Sequence, residues 1–175
     1  MCLSQTVSFT ASVFLVGGGA FAVAKAWQIN KRYLPVALMP LFAGLQQFME
    51  GNVWWGVNTG DPGTTLIGAL GFIFFTWFMW PFRIPLSSYV LEPSGSRRRP
   101  YMLAMTLAGL AFGLALYVPH LTTPEWIEVT VNQDSLAYEG TMLLDYLIPR
   151  EMTYVIYLFL IIVPPMISTY LHMRW

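Results

Sequence analysis

Four polar residues stand inside an apolar run of this 175-residue chain: Gln46, Gln47, Glu50 and Asn52 in "LQQFMEGNVWW", residues 45–55. On a helix, Ala43, Gln46, Gln47, Glu50 and Trp54 share one face, while Asn52 points elsewhere. A carboxyl group beside two amides can do two kinds of work. It can hold a proton, an ion or a ligand, with the amides supplying donors and acceptors around it. Alternatively, the same groups can clamp helices to one another; such bonds in membranes average about 0.6 kcal/mol but fix orientation. The clamp is the favoured reading of Gln46, Gln47 and Glu50, and no catalytic residue is assigned.

Arg83, in "WPFRIP", is the other charge within an apolar run. A Glu50–Arg83 ion pair is disfavoured, because antiparallel helices would separate the two in depth by nearly ~20 Å at 1.5 Å per residue. Arg83 is instead expected to snorkel to headgroups, or to pair with Glu92 or anionic lipid. Pro81 and Pro85 should distort its helix and free carbonyls for a neighbour or for Arg83 itself.

The elements that must position these residues follow from composition. The chain is 56% hydrophobic and 10% charged, against about 25% charged in soluble domains. Residues 7–28, 34–56, 64–91, 100–118 and 151–171 are each apolar and long enough to cross a hydrocarbon core, which takes roughly 20 helical residues. Backbone polar groups in lipid must be satisfied internally, so these runs are helices. The expected fold is an all-α polytopic bundle of five transmembrane helices, one integral membrane domain over residues 1–175.

Orientation follows from the basic residues. Lys25, Lys31, Arg32, Arg97, Arg98, Arg99 and Arg174 fall on one side, with Arg97–Arg99 at the inner interface. Asp61, Glu125, Glu128, Asp134, Glu139, Asp145 and Glu151 fall on the other, with Arg150 their only basic companion. The amino terminus is expected outside and the carboxyl terminus in the cytoplasm. Aromatics are expected at headgroup level: Trp54, Trp55, Tyr117 and Tyr154 outside, and Trp27, Tyr33, Tyr89, Tyr101, Tyr170 and Trp175 inside. The first span has no basic region before it and is expected to be retained rather than cleaved. Cys2 is the only cysteine, so no internal disulfide can form, and it reads as a small residue near the outer interface.

The outer loop, about residues 119–150, should fold as a small cap with one hairpin, because Ile127, Val129 and Val131 alternate with polar or larger residues at the period of a strand. Pro149 suits the first turn of the last helix. In the fourth helix, Gly109-x-x-x-Gly113 among alanines lets backbones approach closely. Its partner is another helix of this chain, with Gly17–Gly19 one candidate, or another subunit.

Cofactor chemistry has little to work with. His120 is placed outside and His172 inside, so they cannot meet across a core of ~30 Å, and both read as ordinary interfacial residues. Intramembrane haem and side-chain ligation of chlorophyll are disfavoured. No His-Glu-x-x-His, cysteine pair or phosphate-binding glycine loop occurs. The expectation is no metal and no cofactor, with bound lipid as the non-protein component, and no nucleic-acid partner.

The opening "MCLSQTVSFTAS", then "RYLPVALMPLFAGLQQFMEGNVWWGV", "LGFIFFTWFMWPFRIPLSSYVLEP" and "LYVP" resemble a family of small bacterial polytopic membrane proteins of unknown function. Its members begin Met-Cys-x-Ser and carry Gln-Gln and Glu-Gly in the second helix. The resemblance covers most of the first 120 residues, implies further hydrophobic helices in longer members, and supplies no activity. The expected function is a non-catalytic accessory or scaffold subunit, a light-harvesting or electron-transfer complex being one candidate assembly. The alternative is a small transporter or membrane-embedded enzyme with its site at Gln46, Gln47 and Glu50.

Overall fold

The computed structural model describes residues 4–132 and 135–169. Cys2, Asp134, Tyr170, His172, Arg174 and Trp175 lie outside the described residues. The chain runs back and forth between two ends. One carries the basic turns around residues 30–38 and 92–98; the other carries the tight turn at Gly60–Asp61 and the loop that follows residue 122.

Helix α1, Gln5–Ile29, starts where Ser4 Oγ accepts the Val7 N–H, the usual way a serine satisfies a first-turn donor. Asn30 stops it and accepts the Arg32 N–H at 2.9 Å, turning the chain. The second apolar run is not one continuous helix. A short α2, Leu34–Ala37, gives way at Leu38 to α3, Met39–Thr59, and both carry a proline in their first turn. Pro40 cannot donate to a carbonyl of the preceding turn, so the run breaks there. α3 ends at Gly60, φ 70°, a left-handed position that suits glycine. Asp61 then caps α4, Pro62–Ile73, accepting the Gly63 N–H and the Thr64 hydroxyl; these bonds hold its carboxyl below the ordinary value.

α4 continues through a π-turn, Phe74–Met79, into α5, Trp80–Leu91. α6 spans Arg99–Thr122 and α7 Arg150–Ile167. Among the described residues, four helices are long and apolar enough to cross a membrane: α1, the continuous Pro62–Leu91, α6 and α7. α3 is 21 residues long but lies outside that set; its amides and Glu50 dilute the apolar character. α1 packs on α3, α3 on α4, and α5 on both α6 and α7.

Between α6 and α7, strands β1, Ile127–Asn132, and β2, Ser135–Gly140, pair antiparallel with Val129 opposite Tyr138. This hairpin lies over the ends of α3 and α4. Leu136 enters a buried cluster with Val53, Trp54 and Ala69, and Tyr138 stacks on Phe72 at 4.4 Å. Trp54 is therefore part of the core, 7% exposed. Pro149 is the cap of α7, one residue before its first turn. Arg150 binds both Asp145 and the Gly140 carbonyl, fastening the loop to α7; its guanidinium holds the Asp145 carboxyl below the usual carboxylate range.

Candidate functional site

The polar face of α3 meets the π-turn. Trp80 Nε1 donates to Gln46 Oε1 at 2.7 Å, and Gln46 Nε2 donates to Thr76 Oγ1 at 2.9 Å. Thr76 Oγ1 in turn donates to its own helix at Phe72 O. Both ends of the Gln46 amide are used, and both tie α3 to the segment around the π-turn.

Proline explains why the turn needs an outside partner. The Trp80 N–H bonds to Phe75 O, five residues back. The next residue in that register is Pro81, which has no N–H, so the Thr76 carbonyl loses its donor. Tyr157 of α7 replaces it, its hydroxyl donating to Thr76 O at 2.7 Å. Three elements, α3, α7 and the turn itself, thus converge on Thr76.

Glu50 lies one turn from Gln46 and is 1% exposed. Gln47 is half-buried, and Asn52 turns to its own helix, donating to Phe48 O. Arg83 places its guanidinium over the Phe42 ring at 5.0 Å. The expected pairing of Arg83 with Glu92 is corrected: Glu92 is 0% exposed and accepts from Ser96 Oγ, Ser168 Oγ, Thr169 N and Thr169 Oγ1. Burial pushes that carboxyl up, but the donors together outweigh burial and hold it low. Arg98 donates to Ile167 O at 2.7 Å, and Arg99 lies over Tyr89, so part of the basic cluster fastens helix ends.

Gly109 and Gly113 face α5 and the π-turn, not Gly17–Gly19. A Cβ on Gly109 would come within 2.8 Å of the Pro81 carbonyl carbon and closer still to its oxygen; one on Gly113 would come within 2.9 Å of Phe78 Cα. Pro85, four residues after Pro81, has no N–H to offer that carbonyl.

His120 is tied into the protein more closely than its place near a helix end suggests. It is 0% exposed in the last turn of α6. Its Nδ1 lies 2.8 Å from Leu116 O and its Nε2 3.1 Å from Thr141 O, with Trp77 and Trp126 edge-on. It thus joins α6 to the segment after the hairpin. Sequence reading missed Thr76, Trp80 and Tyr157, and it foresaw no partner for His120. Only Pro81 gave a signal, by announcing carbonyls in need of donors. Among the described residues no group of three or more His, Cys, Asp or Glu could hold a metal ion.

The described residues define a helical bundle with four helices long and apolar enough to cross a membrane. The chain matches a family of unknown function (DUF6629) over residues 1–151, and it belongs to that family. No curated protein and no solved structure matches it.

Proposed function

We propose that this chain is a non-catalytic accessory or scaffold subunit of a larger assembly in the bacterial cytoplasmic (inner) membrane. It crosses five times, α3 included, with the amino terminus and hairpin outside and the carboxyl terminus in the cytoplasm. One observation carries the scaffold reading: the Gln46 amide is engaged at both ends by Trp80 and Thr76, so this part of the polar face holds helices together. The orientation rests on Lys31, Arg32 and Arg97–Arg99 gathering at one end and Asp61, Glu125, Glu128, Glu139 and Asp145 at the other.

Mild-detergent isolation followed by mass spectrometry should recover stoichiometric membrane subunits, candidates being those of light-harvesting or electron-transfer complexes. Recovery of the chain alone would end the scaffold reading. Labelling of Asn132→Cys from the cytoplasmic side only would reverse the orientation. A second reading, a small transporter or membrane enzyme acting at Gln46, Gln47 and Glu50, is favoured by the burial of Glu50. It requires pH-dependent uptake or turnover that Glu50→Gln abolishes while the fold survives.

A further inference from the structure

We propose that Arg83, on the face between α3 and α5, is a binding site for the phosphate of an anionic phospholipid. Three observations converge on it.

The first is chemical. A guanidinium keeps its charge and presents five donors with no acceptor of its own. Among the described residues, the Arg83 side chain makes one interaction, with the Phe42 ring, and its Nε is buried without a hydrogen-bond partner. An aromatic face balances charge but accepts none of these in-plane donors. Glu92, which caps the end of α5, is saturated by Ser96, Ser168 and Thr169. The hydroxyls of the following turn are also committed, Ser87 to Arg83 O and Ser88 to Ile84 O.

The second is depth. The helix Pro62–Leu91 has 30 residues, about 45 Å at 1.5 Å per residue, whereas a hydrocarbon core is about 30 Å thick. Asp61, exposed at the hairpin end, fixes where it enters. About 20 residues onward the hydrocarbon ends, which brings Arg83 to the phosphate level of the opposite leaflet.

The third is presentation. Arg83 is only half-buried, so part of the residue stays exposed while its guanidinium lies over Phe42. Its fork matches two phosphate oxygens in a bidentate contact, which a lysine cannot reproduce. Arg98 differs, having spent a donor on Ile167 O.

The test uses the full chain in mild detergent. Thermal stability is measured with added phosphatidylglycerol, phosphatidylcholine or inorganic phosphate, and lipid retained through purification is counted by native mass spectrometry. Phosphatidylglycerol should stabilise the wild type and be retained. Arg83→Gln should weaken that binding by roughly tenfold or more, the loss expected for one charge-assisted contact; Arg83→Lys should recover only part, and Arg97→Gln should change little. Should Arg83→Gln fail to fold, retention by the wild type and by Arg83→Lys still decides the matter: equal retention overturns the assignment. So does equal stabilisation by phosphatidylcholine, and stabilisation by inorganic phosphate alone would assign the site to free phosphate instead.

Discussion

α5 and the turn before it meet their neighbours in two contrasting ways. Toward α3 the contact is made by side-chain tips: Trp80 to Gln46, Gln46 to Thr76, Arg83 over Phe42. Toward α6 it is made by backbone, with Gly109 against the Pro81 carbonyl and Gly113 against Phe78. Side-chain hydrogen bonds tolerate rotamer adjustment and set which residues face each other. Backbone contact sets distance and tolerates nothing added. The α6 side should therefore be brittle and the α3 side compliant.

Gly109→Leu is expected to have the largest effect. The new side chain must displace Pro81 or push α6 away, at a cost of about 3 kcal/mol or more; thermal unfolding in detergent should show it, and even Gly109→Ala should register. An unchanged midpoint would mean that the helices separate without penalty, erasing the contrast.

Gln46→Leu should cost about 1–2 kcal/mol, since two membrane hydrogen bonds at about 0.6 kcal/mol each are lost and Trp80 Nε1 is stranded. Tyr157→Phe should cost less, about 0.6 kcal/mol, because it removes one bond to Thr76 O. A double-mutant comparison sharpens the point: if Thr76 couples the two sites, the combined loss will differ from the sum.

The smallest effect concerns pH. Asp145 is held low in the fold by Arg150, so its contribution is fully present above the unfolded carboxylate value of about 3.9. It fades as pH falls through the depressed folded value. Hydrogen-exchange protection in residues 135–148, corrected for the intrinsic pH dependence of amide exchange, should thus stay constant from neutral pH to about 4 and fall only below it, while Asp145→Asn should show the weaker protection already at neutral pH.

The α6 side of this contrast was readable from sequence and most of the α3 side was not. Gly109 and Gly113 are four residues apart, and that spacing alone specifies a close-packing face. The strand period of Ile127, Val129 and Val131 was similarly local, as were the apolar runs. Gln46 finds its partners 30 and 34 residues away, and no periodicity encodes which neighbour a polar face will meet. The bonds of His120 were not legible because α6 runs past its apolar stretch to Thr122 and a later loop covers it. Glu92 was offered to Arg83 on charge alone, whereas four neutral donors from two separate segments had already filled it.

The π-turn at Phe74–Met79 has a further consequence, one of phase. Each helical residue advances about 100° around the axis, and a π-turn accommodates one extra residue without breaking the rod. The stripe that α4 presents to α3 is therefore not continued in simple 3.6-residue steps along α5; everything after Met79 is rotated by about one residue. A single continuous rod of 30 residues can thus address α3 with one stripe and α6 with another. Deleting Thr76 from the turn would keep every apolar side chain in the sequence, yet swing Pro81 and Phe78 away from the two glycines. Here the turn works as a rotary offset, and the identity of the neighbours depends on it.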